Sequence, residues 1–201
     1  MFKTKNDLSE ATRGKAVEIL NARLADAIDL QTQTKHAHWN VKGPNFIALH
    51  ELFDKINEDV EDYVDDIAER AVQLGGVAEG TARMAAKRSS LSEYPPNTVD
   101  GRSHVEALSS VLATFGKSVR QAINDANDLG DLDTADLFTE ISRGVDKWLW
   151  FVEAHLQAER QACRPRSCFS KEETKGLALQ KKEPPSSQGG HLQVPSILVA
   201  P

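Results

Sequence analysis

Apolar positions along most of the chain recur every three to four residues rather than every second one, which is the period of amphipathic helices. From Ser9 to about Ala37 there is no proline, and Leu20, Leu24, Ala27, Gln31 and His38 fall on one helical face. Val41-Lys42-Gly43-Pro44 breaks this first helix. Asn45 stands as N-cap of a second helix reaching about Leu74, and Gly75-Gly76 ends it. A short helical piece is expected over Glu79–Ala86, ahead of a loop at Tyr94-Pro95-Pro96-Asn97. Ser103-His104-Val105-Glu106 reads as the capping box of a third long helix to about Asn127, broken by Leu129-Gly130. Asp131 or Asp133 then caps a fourth, reaching about Ala158, with Leu137, Ile141, Val145, Trp148, Val152 and Leu156 as its seam. Four helices of roughly 25 to 29 residues bury their stripes most economically as a bundle. The expected fold is thus an all-α four-helix bundle with a short helix in the long crossover between helices two and three.

The second helix carries the unusual chemistry. On a wheel, His50, Asp54, Glu61, Asp65 and Glu69 lie within about 100° of arc, bordering the apolar stripe of Phe46, Phe53, Val60, Val64, Ile67 and Ala71. Carboxylates beside an apolar face need a positive partner, and the strip offers only Lys55 and Arg70 nearby. A metal ion is the other solution. His38 of the first helix points inward and adds a second imidazole; a mixed N/O set of this kind suits iron, zinc or manganese better than calcium or magnesium. An acidic stripe is more often a solvated face, however, and a lone inward histidine is more often a satisfied core residue. Trp148 and Trp150 read most simply as packing. Spacing alone leaves these readings standing.

Residues His38-Trp39-Asn40-Val41-Lys42-Gly43-Pro44-Asn45-Phe46, then His50-Glu51-Leu52-Phe53-Asp54 and Asp65-Asp66-Ile67-Ala68-Glu69-Arg70, resemble the Dps family of mini-ferritins. Ala71-Val72-Gln73-Leu74-Gly75-Gly76 and the late stretches Asp133-Thr134-Ala135-Asp136 and Asp146 to Phe151 extend the resemblance over about residues 9–158. It implies a ferritin-like bundle assembled into a hollow shell of twelve identical subunits. It also implies a ferroxidase centre between two subunits, with His38, His50 and Asp54 from one and Asp65 and Glu69 from its mate. The implied activity is oxidation of Fe(II) to Fe(III), preferentially by hydrogen peroxide, with ferric mineral stored inside and DNA thereby spared oxidative damage. Trp39 would lie beside the centre, where it could trap oxidising equivalents. Acidic residues near the start of the fourth long helix would line an iron-uptake pore, the candidates being Asp131, Asp136 and Glu140. Their alternative role is N-cap and helix-dipole partner. His36, two residues before the motif, reads as solvent-facing or as support behind the ligands, and not as a ligand.

Charge and composition alter the picture at the end of the chain. The net charge of −6 divides unevenly: residues 160–201 hold seven basic and three acidic side chains, a balance of +4, which leaves −10 for residues 1–159. After Gln161 prolines at 165, 184, 185, 195 and 201 accompany Ser186-Ser187 and Gly189-Gly190, the composition of a disordered tail. Three segments result: a short tail over 1–8, a ferritin-like bundle over 9–160, and a basic tail over 161–201. Twelve copies of that tail would give multivalent phosphate contacts, so DNA is a candidate partner. A nucleoid-compacting DNA binder is therefore the alternative function, and a bundle with neither activity is the third. Cys163 and Cys168 form no disulfide framework and are expected as free thiols. No stretch approaches the roughly 20 apolar residues of a membrane span. Met1 to Gly14 lacks an apolar signal core, so the expected compartment is the cytoplasm, nucleoid-associated if DNA is bound.

Overall fold

The computed structural model describes residues 1–162 and the surroundings of side chains through residue 157. Expectations for the tail, including those for Cys163 and Cys168, lie outside the described residues. Five helices are present among them: α1 (Glu10–Asn40), α2 (Phe46–Gln73), α3 (Ala82–Arg88), α4 (Gly101–Asp128) and α5 (Leu132–Ala162). Four are long and form the bundle; α3 is the short helix of the crossover.

Helix directions follow from contacts at the bundle ends. Arg13, near the start of α1, donates to the Leu74 carbonyl beyond the end of α2 over 2.8 Å, so these helices are antiparallel. Lys42, in the α1–α2 turn, pairs with Asp100 just before α4. The crossover therefore returns the full length of the bundle, and α4 runs parallel to α2. Arg70, late in α2, binds Asp131 ahead of α5 over 2.7 Å, which makes α5 antiparallel to α2. The result is two hairpins, α1–α2 and α4–α5, joined by one long connection.

The core between them is continuous. Leu20, Leu24, Leu30, Phe53, Ile56, Ile67, Leu108, Leu112, Phe115 and Phe138 are fully buried, each such side chain contributing about 1.5 to 3 kcal/mol by leaving water. The seam expected on the last helix is seen: Ile141, Val145, Trp148 and Val152 are buried, and Leu137 and Leu156 pack against the core from its edge. Trp148 also donates from Nε1 to Asp59 over 2.7 Å, whereas Trp150 is exposed.

Helix boundaries depart from expectation where a stronger local partner exists. The cap of α4 is Asp100, not Ser103; its carboxylate accepts from the Ser103 N–H at 2.9 Å, so Ser103 sits inside the first turn. Glu106 pairs instead with Arg102 at 3.1 Å. The crossover helix starts three residues late because Asn21 of α1 holds the preceding segment, bonding Val77 O and Glu79 N, each at 2.9 Å. Thr81 then caps it by accepting from Met84 N. Asn45 occupies its cap position through its backbone alone. At the end of α2, Gly75 adopts φ 82°, and a Cβ there would lie 2.6 Å from the Phe2 carbonyl. The Phe2 N–H in turn donates to Gly75 O over 2.7 Å, pinning the start of the chain against the bundle.

Candidate metal centre

His38 lies in the last turn of α1 and His50 in the second turn of α2, so the five-residue α1–α2 turn brings them together. Their rings stack with centroids 3.8 Å apart and planes 21° from parallel. Each Nδ1 is 2.9 Å from the main-chain carbonyl oxygen of the other residue. A carbonyl oxygen can only accept, so both Nδ1 atoms carry hydrogen. In the neutral rings both Nε2 atoms then have free lone pairs, the state in which imidazole ligates a metal, and the carbonyl bonds fix each ring as outer partners of metal ligands do.

Asp54, one turn beyond His50, completes a local cluster. Its Oδ1 is 3.6 Å from His38 Nδ1, beyond hydrogen-bonding range, and is bound instead by Lys35 Nζ. This hydrogen bond from Lys35 is the main reason the Asp54 carboxyl is held below its ordinary range; burial works against it, and the charges of His38, Lys35 and His50 add to the lowering. The cation beside the strip is therefore Lys35 of the neighbouring helix. Lys55 is exposed on another face. Arg70 is committed to Asp131 and Thr134 at the far end of α2. Sequence reading missed Lys35 because it searched one helix for the counter-ion. The signal was present, since Lys35 precedes His38 by three residues and shares its face.

Asp65 and Glu69 are exposed on α2. Eleven residues separate Asp54 from Asp65, about 16 Å along the helix axis, so one subunit cannot bring all five groups to one ion. Among the described residues no group of three His, Cys, Asp or Glu is arranged to hold a metal. One chain thus keeps the five residues in two separate groups, His38, His50 and Asp54 at one end of α2 and Asp65 and Glu69 further along. Trp39, near the end of α1, and Phe46 and Ile47, at the start of α2, are 68%, 38% and 61% exposed.

Comparison with known proteins identifies the family. Residues 17–162 match the model of the ferritin-like domain. The chain is 45% identical over 155 residues to the DNA protection during starvation protein of Agrobacterium fabrum, covering 77% of this chain and 96% of that one. It belongs to the Dps family. Among solved Dps structures, one from Mycobacterium smegmatis superposes with a TM-score of 0.74 at 34% identity, covering 77% of this chain and 94% of its own. The Dps of Microbacterium arborescens in its high iron form superposes with a TM-score of 0.70 at 31% identity, covering 78% and 99%. The four-helix bundle with a short crossover helix is thus the Dps fold.

The other residues singled out in the sequence fall as follows. His36 packs edge-on against Tyr94, with centroids 5.2 Å apart. Asp131 is buried; it accepts from Thr134 N at 3.2 Å and Thr134 Oγ1 at 2.6 Å and binds Arg70, so its carboxylate is occupied as the cap of α5. Asp136 and Glu140 are exposed one turn apart on α5. Glu140 faces α2, where Asp66 is pushed up by burial first and then by the charges of Glu140, Asp62 and Asp65. No helix among the described residues is long and apolar enough to cross a membrane.

Proposed function

We propose that this Dps-family chain oxidises Fe(II), preferentially with hydrogen peroxide, at centres shared between neighbouring subunits, and stores the ferric product inside a shell of twelve copies. The observation that carries this reading is the locked His38–His50 pair beside Asp54, a half-set of ligands whose natural complement, Asp65 and Glu69, lies about 16 Å away on the same helix. A two-fold mate would supply that complement. The exposed Trp39, Phe46 and Ile47 around the cluster are apolar surface that such a mate would cover.

In this reading the imidazole Nε2 atoms and the three carboxylates bind the substrate ion. Lys35 neutralises Asp54 until Fe(II) arrives and must then release it. Two Fe(II) ions give one electron each, the O–O bond of the peroxide breaks, and two hydroxide ions form, so no hydroxyl radical leaves the site. Hydrolysis of Fe(III) gives the stored mineral. Asp136 and Glu140 attract incoming cations at the start of α5, with Asp131 bracing that turn, and Trp39 stands ready beside the centre. The high iron form of the related Microbacterium arborescens Dps is in keeping with iron as cargo. Removal of Fe(II) and peroxide together is what would protect DNA, as the name of the Agrobacterium relative states for that protein.

The experiment is anaerobic Fe(II) addition followed by peroxide, with ferric absorbance and particle size read together. His50→Ala should lose rapid oxidation while the shell stays assembled. Undiminished peroxide-driven oxidation in that variant would sink the assignment.

A further inference from the structure

Residues 92–99 of the crossover are tied to the bundle at both ends and by Tyr94 between them. At the ends, the Ser92 carbonyl accepts from Gln33 Nε2 over 3.0 Å and the Val99 carbonyl from the Lys42 N–H over 2.9 Å. Between these points Tyr94 Oη lies 2.7 Å from His104 Nδ1 of α4. Of residues 91–100 Tyr94 alone is buried, so its side chain is what plugs this stretch into the bundle. His104 is fully buried, and its Nε2 has no hydrogen-bond partner. The nearby carbonyls of Asn40 and Thr98 can only accept, which favours hydrogen on Nε2 and leaves Nδ1 to accept from the phenol. The tie thus depends on a neutral imidazole.

Every element around His104 bears on that neutrality. Burial is the main reason its pKa is lowered, and the charge of His36 on α1 acts in the same direction. The Asp100 carboxylate at the cap of α4 and the carbonyls of Asn40 and Thr98 act against them without outweighing them. From α2 comes the uncharged ring of Phe53, with centroids 6.4 Å apart. From the crossover comes Tyr94, whose phenol burial pushes well above its ordinary pKa and so keeps neutral. No carboxylate is hydrogen-bonded to the imidazole among the described residues. A proton arriving on Nδ1 would remove the phenol's acceptor and leave a charge away from water.

We propose that the Tyr94–His104 hydrogen bond is an acid-sensitive latch: protonation of His104 releases residues 93–98 and opens the groove that Glu93, Tyr94 and Pro96 form with Thr32, His36 and Trp39 of α1. The segment is held at Ser92 and Val99, so it lifts as a short loop while the bundle stays folded. Once it lifts, water reaches the imidazole, which returns toward the ordinary histidine value near 6.5. The open form therefore binds the proton more tightly than the closed one. Opening is independent of pH above about 6.5, grows about tenfold per pH unit below it, and levels off beneath the closed-form value. Neither Tyr94 nor His104 is assigned to iron, so the latch stands or falls apart from the ferroxidase reading.

The test is hydrogen exchange of the full chain without metal, read by mass spectrometry between about pH 8 and pH 5, where histidine titrates. Each peptide's rate is divided by that of the same peptide in the unfolded chain, which removes the intrinsic pH dependence. Protection over residues 93–98 should fall by about tenfold per pH unit below about 6.5, while residues 108–115 in the core of α4 keep theirs. His104→Gln retains an acceptor for the phenol and does not titrate, so its protection over 93–98 should stay flat. His36→Gln should still show the fall. Flat protection in the wild type, a fall shared equally by α4, or a fall that persists in His104→Gln overturns the latch. A fall abolished in His36→Gln assigns the proton to the wrong residue and overturns it too. If His104→Gln does not fold, the wild-type contrast between 93–98 and α4, together with His36→Gln, decides.

Discussion

His38 and His50 hold each other in place: each ring Nδ1 donates to the other residue's main-chain carbonyl over 2.9 Å, with the rings stacked at 3.8 Å. The arrangement spends both Nδ1 hydrogens on the fold and leaves both Nε2 atoms for a metal. Replacing His38 with Asn, which keeps a donor but cannot ligate through an imidazole nitrogen, should weaken Fe(II) or Zn(II) binding by about 10- to 100-fold or more. Calorimetry of anaerobic metal binding to the assembled protein measures it. Binding unchanged from wild type would remove His38 from the ligand set.

In the proposed centre Lys35 would compete with the metal for the Asp54 carboxylate, which it binds in the free chain. Lys35→Met keeps the stem and removes the charge, so metal binding should tighten severalfold while acid tolerance falls. The sign is fixed by the lowered Asp54 carboxyl. A carboxyl depressed in the folded state adds stability above its unfolded value near 3.9, and that stability is lost as pH falls through the lower folded value. Wild type and Lys35→Met should therefore differ by a constant small amount at neutral pH and converge only in strong acid. Both side chains are about one-third or more exposed, which keeps the contribution at the level of a surface pair. Unfolding curves between neutral and strongly acidic pH read the difference.

Asp131 and Arg70 close the far end of the bundle. Asp131→Ala removes the cap of α5 and leaves the Arg70 guanidinium, 12% exposed, without its partner at 2.7 Å. Loss of the cap alone costs about 1 kcal/mol, and a largely buried unpaired charge raises the total to about 3 kcal/mol or more. Denaturant unfolding should show this loss. A change within about 0.5 kcal/mol would mean that Arg70 finds another acceptor, with Asp133, already 3.8 Å away, the nearest candidate.

The helices were legible in the sequence because their stripes are long and regular, and the structure brings His38, His50 and Asp54 near one another, a grouping the family resemblance implied and no helical wheel did. Boundaries failed where a single side chain outbid the local pattern, as Asp100 did over Ser103 and as Asn21 did in delaying α3. The Lys35–Asp54 pair was hidden because it joins two helices, and a wheel drawn on one helix cannot show a partner on another. The Tyr94–His104 bond depends on how a 27-residue connection between α2 and α4 folds back, which no period encodes.

Gly75 stands where a side chain would be strained. Its φ of 82° and the Phe2 carbonyl, 2.6 Å from any Cβ placed there, make Gly75→Ala unfavourable on two counts. A loss of about 1 to 2 kcal/mol is expected from the left-handed backbone alone. The first residues should also detach, seen as faster proteolysis before Ser9. Wild-type stability in that variant would show that the Phe2–Gly75 bond contributes nothing.

The same bond bears on DNA. Lys3 and Lys5 sit on a segment fixed to Gly75 by the Phe2 N–H, so they do not form a free basic arm. The bundle itself is acidic, and the surplus of positive charge lies in residues 160–201. Any duplex binding should therefore depend on that segment and be strongly salt-sensitive, since each phosphate contact releases counter-ions. A chain ending at Gln161 should lose retention of DNA in a gel shift that full-length protein retains, with the full-length complex dissolving across a rising salt series. In the proposed twelve-subunit shell multivalency would sharpen the contrast, because its weak segments would act together and all be removed at once. Equal retention by both chains would clear the segment and return the acidic bundle's surface to consideration; no retention by either would leave protection of DNA to iron and peroxide chemistry alone.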